Sequence, residues 1–505
     1  METAKKGFAQ YFNSSSLENS RPFFRYSPKN LSPSFKDKDF HQLPLAIINQ
    51  MATENYYPED LDFALLFSGR ASEEKHSFSY FAIFPERHFI DNLAELQDFI
   101  NSLSTEKENL PNQWLFGNLS YEFAKNFENF SFATNYGGIA DLAKHHNSNI
   151  NNHQFYLVNF ATIIEFNHDL QEITIFSQSE ELKTTAEIMI ESALENGLTA
   201  VKINNKSSLE AQNIQSNFSD NQYLEAINNI KIRITAGDCY QTNLTRKFFG
   251  TLTKKINRKD AVLAFVNLAN ISPANYSAII KQGDKYIISA SPELFLFIED
   301  SKITAQPIKG TIARGKNAEE DNKNYLYLKN SEKEKAENLM IVDLVRNDLA
   351  RCCKVSSVKV AELFKITSYS QIFHLSSIIN GVLLPKTTVL EAISCCFPAG
   401  SMTGAPKIKA VEIASELENC QRGIYSGAIG IIKDNKSANL SVVIRTIILS
   451  DNYFEFQVGG AITFDSIAKN ELQEIYHKAQ AIINLLQLDD LLAKYYGAVA
   501  ESPAI

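Results

Sequence analysis

Residues 291–315 read SPELFLFIEDSKITAQPIKGTIARG, with the polar break Glu299-Asp300-Ser301-Lys302 between two apolar runs. Such a pattern predicts a strand, a tight turn and a returning strand. Counting equal lengths out from the turn brings Glu293 within about one residue of facing Lys309 across the hairpin. Period-two alternation sets Glu293 on the face of Phe295 and Phe297, and Lys309 on the face of Ile303, Ala305 and Pro307. Two opposite charges thus stand in apolar company, which is costly unless they are paired. Desolvation also pushes a lysine toward its nucleophilic free amine, and moving it from ~10.4 to about 7.5 takes ~4 kcal/mol of differential interaction. An ionised Glu293 opposes that shift, so Glu293 must be neutral or must take the lysine's proton. A structural cross-strand ion pair and a catalytic pair both satisfy these two residues.

The rest of the composition restricts the partners. The chain has 505 residues, 21% charged and 44% hydrophobic, which is an ordinary globular balance and, by length, about three domain-sized units. A net charge of −9 argues against nucleic acid as the main partner, and an anionic ligand would need positive charge supplied locally. Six cysteines include the adjacent pairs Cys352-Cys353 and Cys395-Cys396, which suit neither a zinc spacing nor a disulfide framework. The expected location is therefore a reducing cytoplasm. The first residues, METAKKGFAQYFNSS, lack the apolar core of a signal peptide, and no apolar run approaches the ~18 residues of a spanning helix.

From Leu61 onward, strand-like runs such as DFALLFSG, SYFAIFP and FYLVNFATIIEF alternate with polar breaks. The polar segment 204–219 is the candidate boundary, followed by a helix with Leu224, Ile227 and Ile234 on one stripe and Gly237 as its stop. The next strand, GDCYQTNLTRKF, carries Gln241, Asn243 and Thr245 on one face and Tyr240, Leu244 and Phe248 on the other. The polar face suits a site wall that binds without proton transfer, and it suits a solvated strand equally.

Two helices carry paired carboxylates. In SEKEKAENLMIVDLVRNDLARCC, Ser331 and Glu334 form a capping-box pattern, while Glu337 shares a stripe with Met340, Ile341 and Leu344 and needs a cation there. In DSIAKNELQEIYHKAQAIINLLQL, Glu471 and Glu474 lie three apart on one face, and Glu474 can also pair with Lys478. Facing each other, the helices would form an oxygen-rich site for a hard cation such as Mg²⁺. Between them, Thr403-Gly404-Ala405-Pro406 precedes a helix whose free N–H groups suit an anion. Arg445, inside SVVIRTIIL, demands an anion. The Gly459-Gly460-Ala461 segment reads as a turn with exposed amides, and Tyr425 offers a hydroxyl donor.

These stretches together resemble the chorismate-utilising enzymes, which include anthranilate, isochorismate and salicylate synthases. The resemblance spans about residues 221 to 488, through GDCYQTNL, SPELF, PIKGT, ENLMIVDLVRNDLAR, FPAGSMTGAPK, RGIYSGAIG and GGAITFDS, with weaker matches in ALLFSG and FGNLSYEF. It implies an α+β fold: a large antiparallel β-sheet assembly with outer helices and the active site between its two halves. It also implies an N-terminal region over 1–215 like that of anthranilate synthase component I, a chorismate-binding catalytic region over 216–490 and a tail over 491–505. Gln241 stands where isochorismate-forming members carry a water-activating lysine, so C2 hydroxylation is disfavoured. Lys309, in PIKGT, is similar to members that aminate chorismate at C4, whereas C2-aminating members typically have PIAGT.

The resemblance assigns roles residue by residue. Lys309 would attack C2 as the C4 hydroxyl leaves, with Glu293 as general acid, and ammonia would then displace the lysine to give 4-amino-4-deoxychorismate for 4-aminobenzoate and folate synthesis. Glu337 and Glu474 would bind Mg²⁺, supported by Glu334 and Glu471. Arg445, Tyr425, Gly460 and Lys478 would hold substrate carboxylates, while His374 and Thr403 would line the ring pocket. A separate glutamine amidotransferase subunit would supply ammonia, since no glutaminase nucleophile motif is found. Residues near Leu66 and Ser68 resemble the region where relatives bind tryptophan, and retention of that ligand is not expected.

Overall fold

The computed structural model describes residues 23–26, 37–53, 57–69, 78–103, 113–130, 132, 153–195, 209–369 and 372–488. Residues 204–208 of the boundary segment and the tail over 491–505 lie outside them, whereas the stretch from 1 to about 50, which reads as a polar, irregular lead-in, contains the strand Phe23–Tyr26 and most of the helix Asp37–Thr53, whose apolar face packs into the core.

The predicted hairpin is present. Leu294–Glu299 pairs antiparallel with Lys302–Gln306, and Glu299 stands opposite Lys302. Asp300 and Ser301, at φ 48 and 71, make the turn. Two consecutive left-handed residues match the twist of the flanking strands. A register shift between Leu294 and Phe297 then interrupts the alternation. Phe295 and Leu296 are both buried, whereas Phe297 is 37% exposed. Phe297 therefore does not share a face with Phe295 as the alternation predicted, because one extra residue reverses the phase of everything beyond it.

Every strand pairing among the described residues is antiparallel. The long strand Phe155–Asn167 joins two halves. One edge pairs with Phe78–Ile90, and the other pairs with Leu115–Leu119 and Glu172–Ser177. From Phe78–Ile90 one layer continues through Phe63–Phe67, Tyr276–Gln282, Lys285–Ser291, Thr446–Ser450, Tyr453–Ile462 and Gln241–Leu252. From Leu115–Leu119 the other runs through Ala428–Ile432, Ala438–Val442, Leu294–Glu299, Lys302–Gln306 and Ile372–Val382.

Apolar side chains alternate to the two faces of these layers, so each layer must be covered on both sides. Ala64, Tyr80, Phe116, Ile280, Ile429 and Ile448 form one core from strands of both layers. The opposite face of the first layer packs Ile47, Ile190, Ile227, Phe265 and Ile475 from its helices. The opposite face of the second packs Leu96, Ile341 and Ile393 against Phe295 and Ile303. The order is helix, sheet, sheet, helix, which is the expected α+β class with its helices outside. The strand Gln241–Leu252 is buried at every position, so the Gln241, Asn243 and Thr245 face is an internal wall and not a solvated one.

One buried ion pair ties distant segments to this wall. Arg422 binds both oxygens of Glu418, at 2.7 and 2.9 Å, and donates to the carbonyls of Met402 and Asn243, each at 2.7 Å. Glu418 also accepts from the Thr245 amide at 2.9 Å, and Glu122 accepts from the amides of Arg422 and Gly423. Removing one partner of such a pair leaves the other charge buried and uncompensated. Arg422→Met is expected to lower unfolding stability by about 3–5 kcal/mol in urea titrations. An unchanged midpoint would show that the clamp is dispensable.

Candidate active site

Glu293 immediately precedes the strand Leu294–Glu299, and its carbonyl accepts from the Val442 amide at 3.0 Å. Its side chain is 5% exposed. Burial raises its carboxyl to about 7, against the opposing pull of Ser401, Lys309, the Ile308 amide and Lys478. Lys309 does not lie in the returning strand of the hairpin. That strand ends at Gln306, and Lys309 belongs to the next one, Ile308–Ala313, paired with Ile372–Val382. A register shift between Ile308 and Thr311 contains Lys309, and Gly310 within it has φ 89. Bulges re-aim side chains in this way. The amine and the acid still meet electrostatically. Burial lowers the Lys309 amine, Lys478 adds to that shift, and Glu337, Glu293 and Glu474 oppose it.

The two predicted helices run over Glu332–Ala350 and Ala468–Leu485. Ser331 caps the first by accepting from the Glu334 amide at 3.3 Å, and the Glu334 side chain shows no reciprocal cap. Its carboxylate instead joins the others. Burial, mainly, raises Glu334, Glu337 and Glu471, and each also feels the negative charge of Glu474. Glu474 alone among them is lowered, chiefly by Lys478, whose Nζ is 2.7 Å away. Mutual repulsion between carboxylates of the two helices shows that they face one another. Lys333 Nζ lies between them, 3.9 Å from Glu337 and 3.9 Å from Glu471.

Glu293, Glu334, Glu337, Glu471 and Glu474 oppose only Lys309, Lys333 and Lys478, an excess of two negative charges when all are ionised. As the side chains lie, no three His, Cys, Asp or Glu among the described residues converge closely enough to ligate a metal. The charge excess and the all-oxygen donor set nevertheless suit a hard divalent cation replacing the Lys333 ammonium.

The remaining candidates form the walls. His374 is fully buried, accepts or donates at Nδ1 with the Thr311 hydroxyl at 2.7 Å, and is pushed to about 3 by burial and by Arg445, so it stays neutral. Arg445 does not continue an apolar strand. It sits at φ 51 in the break between Ala438–Val442 and Thr446–Ser450, half-buried and without a carboxylate partner among the described residues. Gly459 to Ala461 is likewise no turn, because it lies within the strand Tyr453–Ile462 and pairs with Gln241–Leu252. A Cβ on Gly460 would stand 3.5 Å from Glu471 and 4.0 Å from Lys478, so the glycine keeps this side of the cleft open. Lys478 donates to the Gly459 carbonyl at 3.0 Å.

Tyr425 is buried, with its hydroxyl raised by burial and, more weakly, by Glu293. Gln241 is fully buried, and neither amide atom has a hydrogen-bond partner among the described residues. Thr403 is also buried, but its hydroxyl is engaged by the Gly400 carbonyl at 3.2 Å, so it shapes the wall and offers no free donor. Gly404, at φ 138, permits this approach. A Cβ there would meet the Gln241 carbonyl at 2.2 Å.

Sequence reasoning missed Lys333 and the Arg422–Glu418 clamp. Both were accessible as i,i+4 pairs, Lys333 with Glu337 and Glu418 with Arg422. Ser401 and Asp348, which flank Glu293 in space, left no such signal.

A lowered amine, a raised buried carboxyl and a cluster of carboxylates thus meet at one place in the antiparallel scaffold. A family model described as chorismate binding enzyme matches residues 63–484, and the chain belongs to that family. Among its relatives, aminodeoxychorismate synthase component 1 of Escherichia coli K12 is 37% identical over 273 residues, covering 54% of this chain and 59% of that one. Anthranilate synthase component 1 of Saccharolobus solfataricus is 38% identical over 262 residues, covering 52% of this chain and 61% of that one. The chain thus matches less than two thirds of the length of either relative. The crystal structure of anthranilate synthase component I from Streptococcus pneumoniae superposes with a TM-score of 0.62 at 27% identity, covering 80% of this chain and 91% of that one.

Glu293 makes stability depend on pH. Its folded carboxyl titrates near 7 against about 4.3 unfolded, so the stability it favours is complete below pH 4.3 and is lost as pH rises through 7. The loss is up to about 4 kcal/mol. Glu293→Gln is expected to remove this slope and to be the more stable protein at pH 8 in denaturant titrations. Parallel pH profiles for both proteins would contradict the burial of a titrating acid.

Proposed function

We propose that this chain aminates chorismate at C4, the reaction of an aminodeoxychorismate synthase component I, with ammonia from a separate glutamine amidotransferase subunit. The supporting observation is Lys309, an amine lowered by burial and coupled to the raised acid Glu293. A protonated lysine has no lone pair to attack with, and an ionised glutamate has no proton to give. Burial favours the reactive form of each.

In the first displacement, the Lys309 nitrogen bonds to C2, the two conjugated ring double bonds both shift by one position toward C4, and the C4–O bond breaks. Glu293 gives its proton to the departing oxygen, and water leaves. In the second, ammonia bonds to C4, both double bonds return, and the C2–N bond to Lys309 breaks with its electron pair leaving on the lysine nitrogen. The proton lost by the new ammonium restores Glu293. The sum is chorismate plus ammonia to 4-amino-4-deoxychorismate plus water, with no redox change. The product would supply 4-aminobenzoate and folate synthesis through further enzymes.

Arg445 is the wall residue best suited to a substrate carboxylate, because it is half-buried with no carboxylate partner among the described residues. Tyr425, Gly460 and Lys478 would complete that cradle. Neutral His374 and Thr403 would line the ring, and the unpaired amide of Gln241 would bind ammonia or the departing water. Mg²⁺ held by Glu337 and Glu474, with Glu334 and Glu471 in support, would neutralise a substrate carboxylate when bound. No helix among the described residues is long and apolar enough to cross a membrane, and the six cysteines are free thiols, in keeping with a cytoplasmic setting.

A second reading is anthranilate synthase component I, favoured by the Saccharolobus and Streptococcus relatives. Incubation with chorismate, Mg²⁺ and an ammonium salt, followed by chromatography, separates the two. The expected product is aminodeoxychorismate, and fluorescent anthranilate formed without a lyase would sink the reading. Lys309→Ala is expected to lower C4 amination at least about 100-fold while leaving the thermal midpoint near that of the wild type. Undiminished amination would exclude the covalent route.

A further inference from the structure

A cavity of about 20 Å³ lies against Glu293, lined also by Asp348, Ser401, Val345, Ala399 and Ala305. That is space for a single water, which needs two to four polar partners to be held. Three are present. The first is the Glu293 carboxyl. The second is the Ser401 hydroxyl, near enough to pull Glu293 toward its ionised form yet without a well-formed hydrogen bond to any described residue. The third is the Asp348 carboxylate. Lys407 Nζ occupies its Oδ2 at 2.7 Å and spends its other donors on the carbonyls of Cys396 and Pro398, each at 2.9 Å. Lys407 therefore has no donor left for Glu293, and any link from the pair to the acid runs through the cavity.

We propose that one water in this cavity bridges Glu293, Ser401 and Asp348, making Asp348, fixed by Lys407, a positioning residue for the general acid. The water accepts from the Ser401 hydroxyl and donates to Asp348 and to one oxygen of Glu293. That oxygen, held as an acceptor, cannot carry the proton. The acidic hydrogen is thereby confined to the other oxygen, which is the one free to face the cleft.

Asp348 is raised to about 6 by burial, against the pull of Lys407 and Arg351, with Glu128 acting in the same direction as burial. Glu293 itself faces Ser401, Lys309, Lys478 and Tyr425, and it meets Asp348 only across the cavity that both line. The inference rests on Glu293 acting as the acid in the proposed amination.

The test compares Asp348→Asn with Ser401→Ala in the full chain. Each is expected to lower kcat about tenfold with little change in KM, the cost of a misplaced catalytic group. Their pH profiles should move in opposite directions. Removing the Asp348 charge eases Glu293 ionisation and brings the alkaline limb of kcat/KM to lower pH. Removing the Ser401 hydroxyl loosens the water that donates to the Glu293 carboxyl, weakens that support for the ionised form and moves the limb to higher pH. A merely structural role would not produce opposed shifts. Should Asp348→Asn fail to fold, Ser401→Ala together with a high-resolution crystal structure of the wild type decides the matter. Shifts in the same direction, unchanged profiles, or a dry cavity in that structure would overturn the proposal. Absence of aminodeoxychorismate from the wild type would instead overturn the assigned reaction, while the crystallographic water would still test the bridge.

Discussion

The site depends on the cost of removing charged groups from water. Five carboxyls and three amines converge where two layers of sheet and two helices meet, and burial moves Glu293, Glu334, Glu337, Glu471 and Lys309 toward their neutral forms. Glu474 and Lys333, both exposed, are held in their charged forms instead, the first chiefly by Lys478 and the second by the surrounding glutamates. The same penalty that would be a defect in a core shifts the Lys309 amine toward its nucleophilic form and the Glu293 carboxyl toward its proton-donating form.

The scaffold delivers these groups through departures from regularity. Lys309 sits in a bulge, Arg445 in a left-handed break between two strands, and Glu293 one residue ahead of a strand whose alternation then slips. Regular strands would have sent these side chains to alternating faces. The irregular positions aim them into one cleft, and the clamp of Arg422 and Glu418 holds the Gln241–Asn243 wall and the Met402 loop against it.

Much of this was legible in the residues themselves. The hairpin turn, both glutamate helices, the Ser331 cap and the Glu474–Lys478 pair follow from local spacing, and all are present. The bulges were not legible, because a register shift depends on the partner strand, and so the predicted placement of Phe297 and the route by which Lys309 reaches Glu293 were wrong. Gly459 and Gly460 read as a turn by their identity but serve in a strand, where the missing side chain keeps space beside Glu471 and Lys478. Asp348 and Ser401 lie more than 50 and 100 positions from Glu293 in the chain, and no local pattern connects such groups.

The strand Phe155–Asn167 belongs to both layers, and each layer interleaves early and late segments: Phe63–Phe67 lies beside Tyr276–Gln282, and Leu115–Leu119 beside Ala428–Ile432. A ribosome-bound chain would therefore expose unsatisfied sheet edges until its last strands were made. Closing such distant loops is slow, so the sheets form late and together, not strand by strand from the N-terminus.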